Sequence, residues 1–315
     1  MNSPIQLTVI GCGVLGRGIV EGLLSESTPS RSYRLALTGR RPEALDGLRK
    51  DYPSALVTGD NKDPLIWSLN DYMRSTHIVV IATKPHCTAE VCDEITQAFK
   101  AAGATQQLVV VTVCPGITVS QLEKWLPRET PIMRTMPNTP VAVKKGATAI
   151  FSNQHMTPHL AAEVQLIFEC ISPVVATLPR EELMDIAASV SGSAPAYVYH
   201  LLQSLVAAGT AHGLPADIAH QLVVQSCMGA ALLAQRSPDI PLQQLVNDVC
   251  VPGGSTEKAI RTLDRHDAGK IVQAAVEASW KANVAMSGNR TSSPAPTKTL
   301  EGTAGMTALV DVVKE

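Results

Sequence analysis

The sequence predicts an α/β fold, a doubly wound parallel sheet, followed by an all-helical second half. Three observations point there. Short apolar runs rich in β-branched residues alternate with helical patterns through the first half of the chain. A glycine-rich turn joins the first such run to the first helical pattern, and from about Glu181 the strand-like runs stop. Runs that are apolar throughout, rather than alternating, suit strands with both faces covered by helices.

In order, residues 7–10, 33–37, 78–82 and 108–113 read as strands. Helices are expected near 14–25, 42–50, 63–74 and 88–102, which is the order of βαβ units. Further strands are expected at 131–136, 147–151 and 174–178. Helices then follow at 193–212, 215–236, 241–249, 254–265 and 268–287. Turns at Gly213-Leu214-Pro215, Ser237-Pro238 and Pro252-Gly253-Gly254 separate them. The expected domains are 1–180 for nucleotide binding and 181–288 for the helices. A tail, 289–315, opens on Arg290-Thr291-Ser292-Ser293-Pro294-Ala295-Pro296-Thr297, too poor in apolar surface to order itself.

Composition limits the function classes. A chain of 315 residues holds two domains and buries a core without disulfide or metal support. It is 45% hydrophobic but only 3% aromatic, so Ala, Val, Leu and Ile must build that core. A net charge of −2 gives no footprint for nucleic acid. No apolar run reaches the ~18 residues of a membrane span, and Met1–Leu7 lack the pattern of a signal peptide. The seven cysteines are scattered without a Cys-x-x-Cys, which suits reduced thiols in a cytoplasmic protein. The eight histidines are dispersed too, so no metal site is expected.

Gly11-Cys12-Gly13-Val14-Leu15-Gly16 follows the first strand and opens the first helix. Gly11 permits a tight turn, Gly13 lets backbone approach a pyrophosphate, and Gly16 allows helix to pack closely on strand. The free N–H groups of the helix start then face the phosphates. This reads as a nicotinamide-dinucleotide site. At the end of the second strand, Thr38-Gly39-Arg40-Arg41 stands where an NAD site carries an acid, and no acid comes before Glu43. Two guanidiniums and a hydroxyl suit a 2′-phosphate, so NADPH is expected over NADH.

Four further motifs follow: Ala82-Thr83-Lys84-Pro85, Arg134-Thr135-Met136-Pro137-Asn138-Thr139-Pro140, Ser191-Gly192-Ser193-Ala194-Pro195-Ala196-Tyr197 and Pro252-Gly253-Gly254-Ser255-Thr256. With the glycine turn they closely resemble the Δ1-pyrroline-5-carboxylate reductases, over about residues 5–288. The resemblance implies a Rossmann domain and a helical domain that interlocks with its partner's into a homodimer, in some members a ring of dimers. It implies hydride transfer from NAD(P)H to a small cyclic imine, in proline biosynthesis. It places Ala82–Pro85 along the nicotinamide ribose and Asn138, held between Pro137 and Pro140, against the nicotinamide. Ser191 then faces substrate, with a plain helix N-cap as the competing account. The N–H groups of Gly253, Gly254, Ser255 and Thr256 form a nest for a substrate carboxylate. The Thr256 hydroxyl matches the catalytic position that bonds the ring nitrogen.

Departures fall on the substrate side. The family usually has Ser or Thr where this chain has Val251, and an apolar residue where it has Glu257; Ala194 and Cys114-Pro115-Gly116 also differ. The leading expectation is NADPH-dependent reduction of 1-pyrroline-5-carboxylate to L-proline. A paralogue reducing a six-membered or alkyl-substituted imine is the alternative, and an NADPH-binding protein without turnover is a third. Retention of Thr256 and the Pro-Gly-Gly turn argues against the third. An iminium carries its own proton, so positioning and electrostatics suffice without a His/Asp/Glu constellation. Helix 215–236, with Ile218, Leu222, Val223, Met228, Leu232 and Leu233, is apolar over more surface than one domain can bury, which suits an obligate dimer.

Overall fold

A computed structural model describes residues 5–25, 33–67, 76–103 and 107–288. The strands are β1 Ile5–Ile10, β2 Tyr33–Thr38, β3 Leu56–Thr58, β4 Thr76–Ile81, β5 Gln107–Thr112, β6 Ile132–Pro137, β7 Ala147–Ser152 and β8 Val174–Thr177. Among them run α1 Val14–Ser25, α2 Pro42–Asp51, α3 Pro64–Trp67, α4 Thr88–Ala101, α5 Val119–Trp125 and α6 Pro158–Glu169. After β8 come α7 Leu183–Ala187, α8 Ala194–Ala211, α9 Ala216–Arg236, α10 Leu242–Val249, α11 Ser255–Arg265 and α12 Ala268–Ser287. The expected tail, and the end of the helix expected at 63–74, lie outside the described residues.

The strands form one sheet in the order β3-β2-β1-β4-β5-β6-β7-β8. Period-2 alternation sends Ile78, Val80, Val109 and Val111 to one face, against α1 and α6, and Val79, Ile81 and Val110 to the other, against α4 and α5. Both faces are therefore covered, as continuous apolar strands require. The doubly wound sheet is borne out, with one correction: β7 pairs antiparallel to β6, and β8 runs parallel to β7. The link between β6 and β7 is a single 3₁₀ turn, Thr139–Val143, too short for the crossover a parallel pair needs. Helix α6 then supplies such a crossover from β7 to β8.

The described chain divides into two compact units, one running to Pro195 and resuming at Ala278, the other Ala196–Glu277. The boundary expected at residue 180 falls inside the first unit. Two ties account for this. Arg134 on β6 holds Glu181 and Asp185 at 2.9 and 3.3 Å, joining α7 to the sheet. The amide of Asn283 and the hydroxyl of Ser287 donate to Asp185 at 3.2 and 2.8 Å, joining the end of α12 to α7. In the second unit α9 buries only Ala219, leaving Leu222 and Met228 more than half exposed. Among the described residues no helix is long and apolar enough to cross a membrane.

His77, on β4, is fully buried, with Nε2 2.8 Å from Thr8 Oγ1 and its ring tilted against Trp67. Burial pushes the imidazole down to about 3. The unfolded chain takes up a proton below pH ~6.5 that the folded chain refuses, so the stability contributed by neutral His77 is lost as pH falls from there toward 3. At ~1.4 kcal/mol per pH unit, urea unfolding should lose about 2–3 kcal/mol between pH 6.5 and 4.5. His77→Gln should flatten that slope; an unchanged slope would assign the acid sensitivity to other groups.

Candidate active site

The glycine turn is built for a ligand. Gly11 sits at φ +80°, and a Cβ there would stand 2.6 Å from the Thr83 methyl, so geometry and space both demand glycine. The N–H groups of Gly11 and Cys12 donate to the Thr38 carbonyl at 3.2 and 2.8 Å, fastening the turn to the end of β2. A Cβ at Gly16 would meet Val9 at 3.0 Å, so α1 packs tightly on β1. At Gly13 the nearest atom would be 3.9 Å away. Nothing among the described residues requires glycine there, and the space suits an approaching ligand. The first helical bond runs from Arg17 N–H to the Gly13 carbonyl at 2.9 Å. Val14, Leu15 and Gly16 therefore keep N–H groups without an acceptor among the described residues, as an anion site requires.

Ala82–Pro85 lies directly beside this turn, since Ala82 N–H donates to the Ile10 carbonyl at 2.8 Å. The Thr83 hydroxyl is buried without a hydrogen-bond partner among the described residues. An orphaned hydroxyl next to a side-chain-free turn fits a polar ligand such as a dinucleotide ribose. Lys84 is exposed, and Pro85 opens a 3₁₀ turn, Pro85–Cys87. Both elements stand at the carboxyl ends of β1 and β4, where the strand order reverses, the usual ligand crevice of such sheets.

At the end of β2, Arg40 and Arg41 are exposed and make no ion pair among the described residues. Arg40 instead reaches the Cys87 sulfur at 3.1 Å. The Thr38 hydroxyl, expected beside them, has a partner of its own. It is buried and donates to Asn61 Oδ1 at 2.6 Å, and Asn61 in turn donates to Glu94 at 2.7 Å. The Thr38 carbonyl is what holds the glycine turn.

Asn138 acts as a brace. Its Oδ1 accepts from Ala147 N–H at 2.9 Å and its Nδ2 donates to the Ser191 carbonyl at 3.3 Å. Ser191 lies in a π-helical stretch, Ala188–Gly192, that continues α7 toward α8, and Ser193 N–H bonds the Ala188 carbonyl at 2.8 Å. Ser191 therefore caps nothing, which overturns the N-cap account; such π stretches are frequent at functional sites. Behind it, Arg134 on β6 is buried and forks between Glu181 at 2.9 Å and Asp185 at 3.3 Å. Glu181 also accepts from Val119 N–H at 2.8 Å. Sequence reasoning missed Glu181, Asp185, Asn283 and Ser287, because a network drawn from the turn before α7, from α7 and from the end of α12 leaves no periodic signal.

In the second unit, Gly253 stands at φ +76° and Gly254 N–H donates to the Val251 carbonyl at 2.9 Å. A Cβ at Gly254 would come 2.8 Å from that carbonyl oxygen, so the turn needs glycine there as well. The Gly253 N–H donates at 2.8 Å to the Glu257 carboxylate. The expected nest is thus smaller than its sequence suggests. The N–H groups of Gly253 and Gly254 are engaged, while those of Ser255 and Thr256 open α11 without an acceptor among the described residues. The Thr256 hydroxyl makes no hydrogen bond among them either, and Val251 is exposed. No group of three His, Cys, Asp or Glu side chains is gathered as for a metal among the described residues.

Comparison with known proteins gives two family matches. Residues 181–286 match the pyrroline-5-carboxylate reductase dimerisation domain, and residues 6–116 match NADP oxidoreductase, coenzyme F420-dependent. A Delta-1-pyrroline-5-carboxylate reductase of Gibberella fujikuroi is 45% identical over 89% of this chain and 95% of its own. A pyrroline-5-carboxylate reductase of Mycobacterium leprae is 32% identical over 88% of this chain and 95% of its own. Among solved structures, a pyrroline-5-carboxylate reductase from Coxiella burnetii superposes with TM-score 0.79 at 28% identity, covering 90% of this chain and 99% of that one. The Plasmodium falciparum pyrroline carboxylate reductase with NADP bound superposes with TM-score 0.73 at 26% identity and the same coverage.

Proposed function

We propose that this chain, which belongs to the pyrroline-5-carboxylate reductase family, reduces 1-pyrroline-5-carboxylate to L-proline with NADPH. The chain is an oxidoreductase that acts on an imine with a nicotinamide cofactor, in a Rossmann domain followed by a helical dimerisation domain. The observation that carries the finer reading is the unbonded Thr256 hydroxyl, beside the N–H groups of Ser255 and Thr256, in a chain whose glycine turn is intact. The names of the Gibberella and Mycobacterium relatives support the substrate. NADPH is supported by Arg40 and Arg41, and by the NADP held in the Plasmodium structure.

The bound reduced nicotinamide supplies the hydride. Val14, Leu15 and Gly16 hold the pyrophosphate with their N–H groups, and the strand end Ala82–Pro85 lines the ribose. Thr256 holds the ring nitrogen and so fixes which carbon and which face of the ring are presented. Ser255 and Thr256 hold the carboxylate at the start of α11. The iminium enters protonated, so orientation carries most of the rate. The apolar faces of α8 and α9 pair with those of a second copy in a homodimer. Seven free cysteines support a cytoplasmic setting.

Val251 and Glu257 favour a second reading, a related imine with a six-membered or alkyl-substituted ring. NADPH oxidation measured with pyrroline-5-carboxylate beside piperideine carboxylates and methylated pyrrolines separates the two. Thr256→Ala should lower kcat about ten- to a hundredfold, as the loss of a hydrogen bond of ~1.5–3 kcal/mol to a charged group requires, with NADPH affinity unchanged. Full turnover in that variant would remove Thr256 from the ring nitrogen.

A further inference from the structure

We infer that Glu257 is a specificity-determining residue, a resident carboxylate that weakens the hold of the imine site on carboxylated substrates. The inference rests on the reading of Pro252–Thr256 as the substrate turn. Glu257 is the third residue of α11. A glutamate there ordinarily folds back to the N–H of the N-cap residue. Here the N-cap is Gly254, whose N–H already bonds the Val251 carbonyl at 2.9 Å. The side chain therefore reaches one residue further, and Oε2 accepts from Gly253 N–H at 2.8 Å. The other oxygen, Oε1, accepts from Arg261 Nη2 at 2.7 Å. Held at both ends, the carboxylate is only 27% exposed, whereas Arg261 is 69% exposed. The charge is thus fixed on the turn, while the cation that balances it lies out in solvent, where screening is strong.

A substrate carboxylate bound at Ser255 and Thr256 would share the same turn with this fixed negative charge. Like charges on one small site disfavour each other, and the positive end of the helix must serve both. The ring itself is different: a protonated imine is a cation, and a neighbouring carboxylate favours it. Val251 acts in the same direction, because an exposed apolar side chain offers no donor to an anion. Pyrroline-5-carboxylate is then held chiefly through its iminium ring, and cyclic iminium ions with a neutral substituent or none in place of the carboxylate lose little by comparison.

The test uses the whole protein with saturating NADPH and two probes, pyrroline-5-carboxylate and carboxylate-free 1-pyrroline. Glu257→Gln keeps the shape and an acceptor for Gly253 but removes the charge. It should lower the KM for pyrroline-5-carboxylate about tenfold at nearly constant kcat, and move the KM for 1-pyrroline less than twofold. Arg261→Gln, on the surface, should shift the first KM the opposite way by unmasking the charge. Equal shifts for both probes, or no shift for the carboxylated one, would overturn the role of Glu257. No NADPH oxidation with either probe in the unaltered protein would instead overturn the imine-reductase reading beneath it.

Discussion

Alanine at both Arg40 and Arg41 is expected to raise the KM for NADPH about a hundredfold and that for NADH less than threefold. Both side chains stand at the carboxyl end of β2, exposed and without an ion pair among the described residues. A hydrogen bond to a charged group contributes ~1.5–3 kcal/mol. Exposure trims each toward the low end, so the pair together is worth about 3 kcal/mol, a factor near a hundred. No neighbour can take over, since the Thr38 hydroxyl is committed to Asn61 at 2.6 Å. Arg40 is steered by the Cys87 sulfur at 3.1 Å, so the Arg40 single variant should account for the larger share. Added salt should raise the NADPH constant in the unaltered protein and barely move it in the double variant. Thermal unfolding should be unchanged, because surface substitutions of this kind cost little. Equal losses for the two cofactors would mean that these arginines do not read the 2′-phosphate.

The sheet was legible because its strands are buried on both faces. Residues 78–81 and 109–111 are apolar without a break, and the structure sends alternate members to opposite layers. Strand β3, only Leu56–Thr58, was too short to stand out. Helices α5 and α6 were missed although each carried a start signal: Thr118 and Gln121 make a reciprocal capping box, and Thr157 caps α6 ahead of Pro158. In α5 the apolar positions, such as Val119 and Leu122, are too few to set a period, whereas in α6 Leu160, Val164, Ile167 and Phe168 keep a helical spacing that was there to be read. In the site, the glycine turn could be read residue by residue, since its reasons are steric and local. The direction of the Thr38 hydroxyl, and the Glu257 side chain folded onto Gly253, depend on where neighbours fall in space. Spacing alone does not encode that.

Arg134→Leu should have the largest effect on stability, a loss of about 3–5 kcal/mol, the range for breaking a buried ion pair from one side. The guanidinium is nearly inaccessible, and its two nitrogens serve Glu181 at 2.9 Å and Asp185 at 3.3 Å. The leucine would fill part of the space, yet it would take from both carboxylates the cation they share. The cost is then the desolvation of charges already committed to the interior. Against a usual total of ~5–15 kcal/mol, that is a large fraction, readable as a shift in the urea midpoint. Arg134→Lys keeps a charge but not the fork, so it should recover less than half of the loss. The effect should reach the site as well. Asp185 accepts the Ser287 hydroxyl at 2.8 Å, and its carbonyl accepts the Ser189 hydroxyl at 2.9 Å and the Asn283 amide at 3.2 Å. Ser189 lies in the same π stretch as Ser191, whose carbonyl anchors Asn138. Arg134→Lys should therefore lower kcat more than it raises the KM for NADPH, because the glycine turn and the arginines at β2 lie on other elements. A midpoint shift under about 1 kcal/mol for Arg134→Leu, or a kcat that survives Arg134→Lys unchanged, would reduce this network to packing.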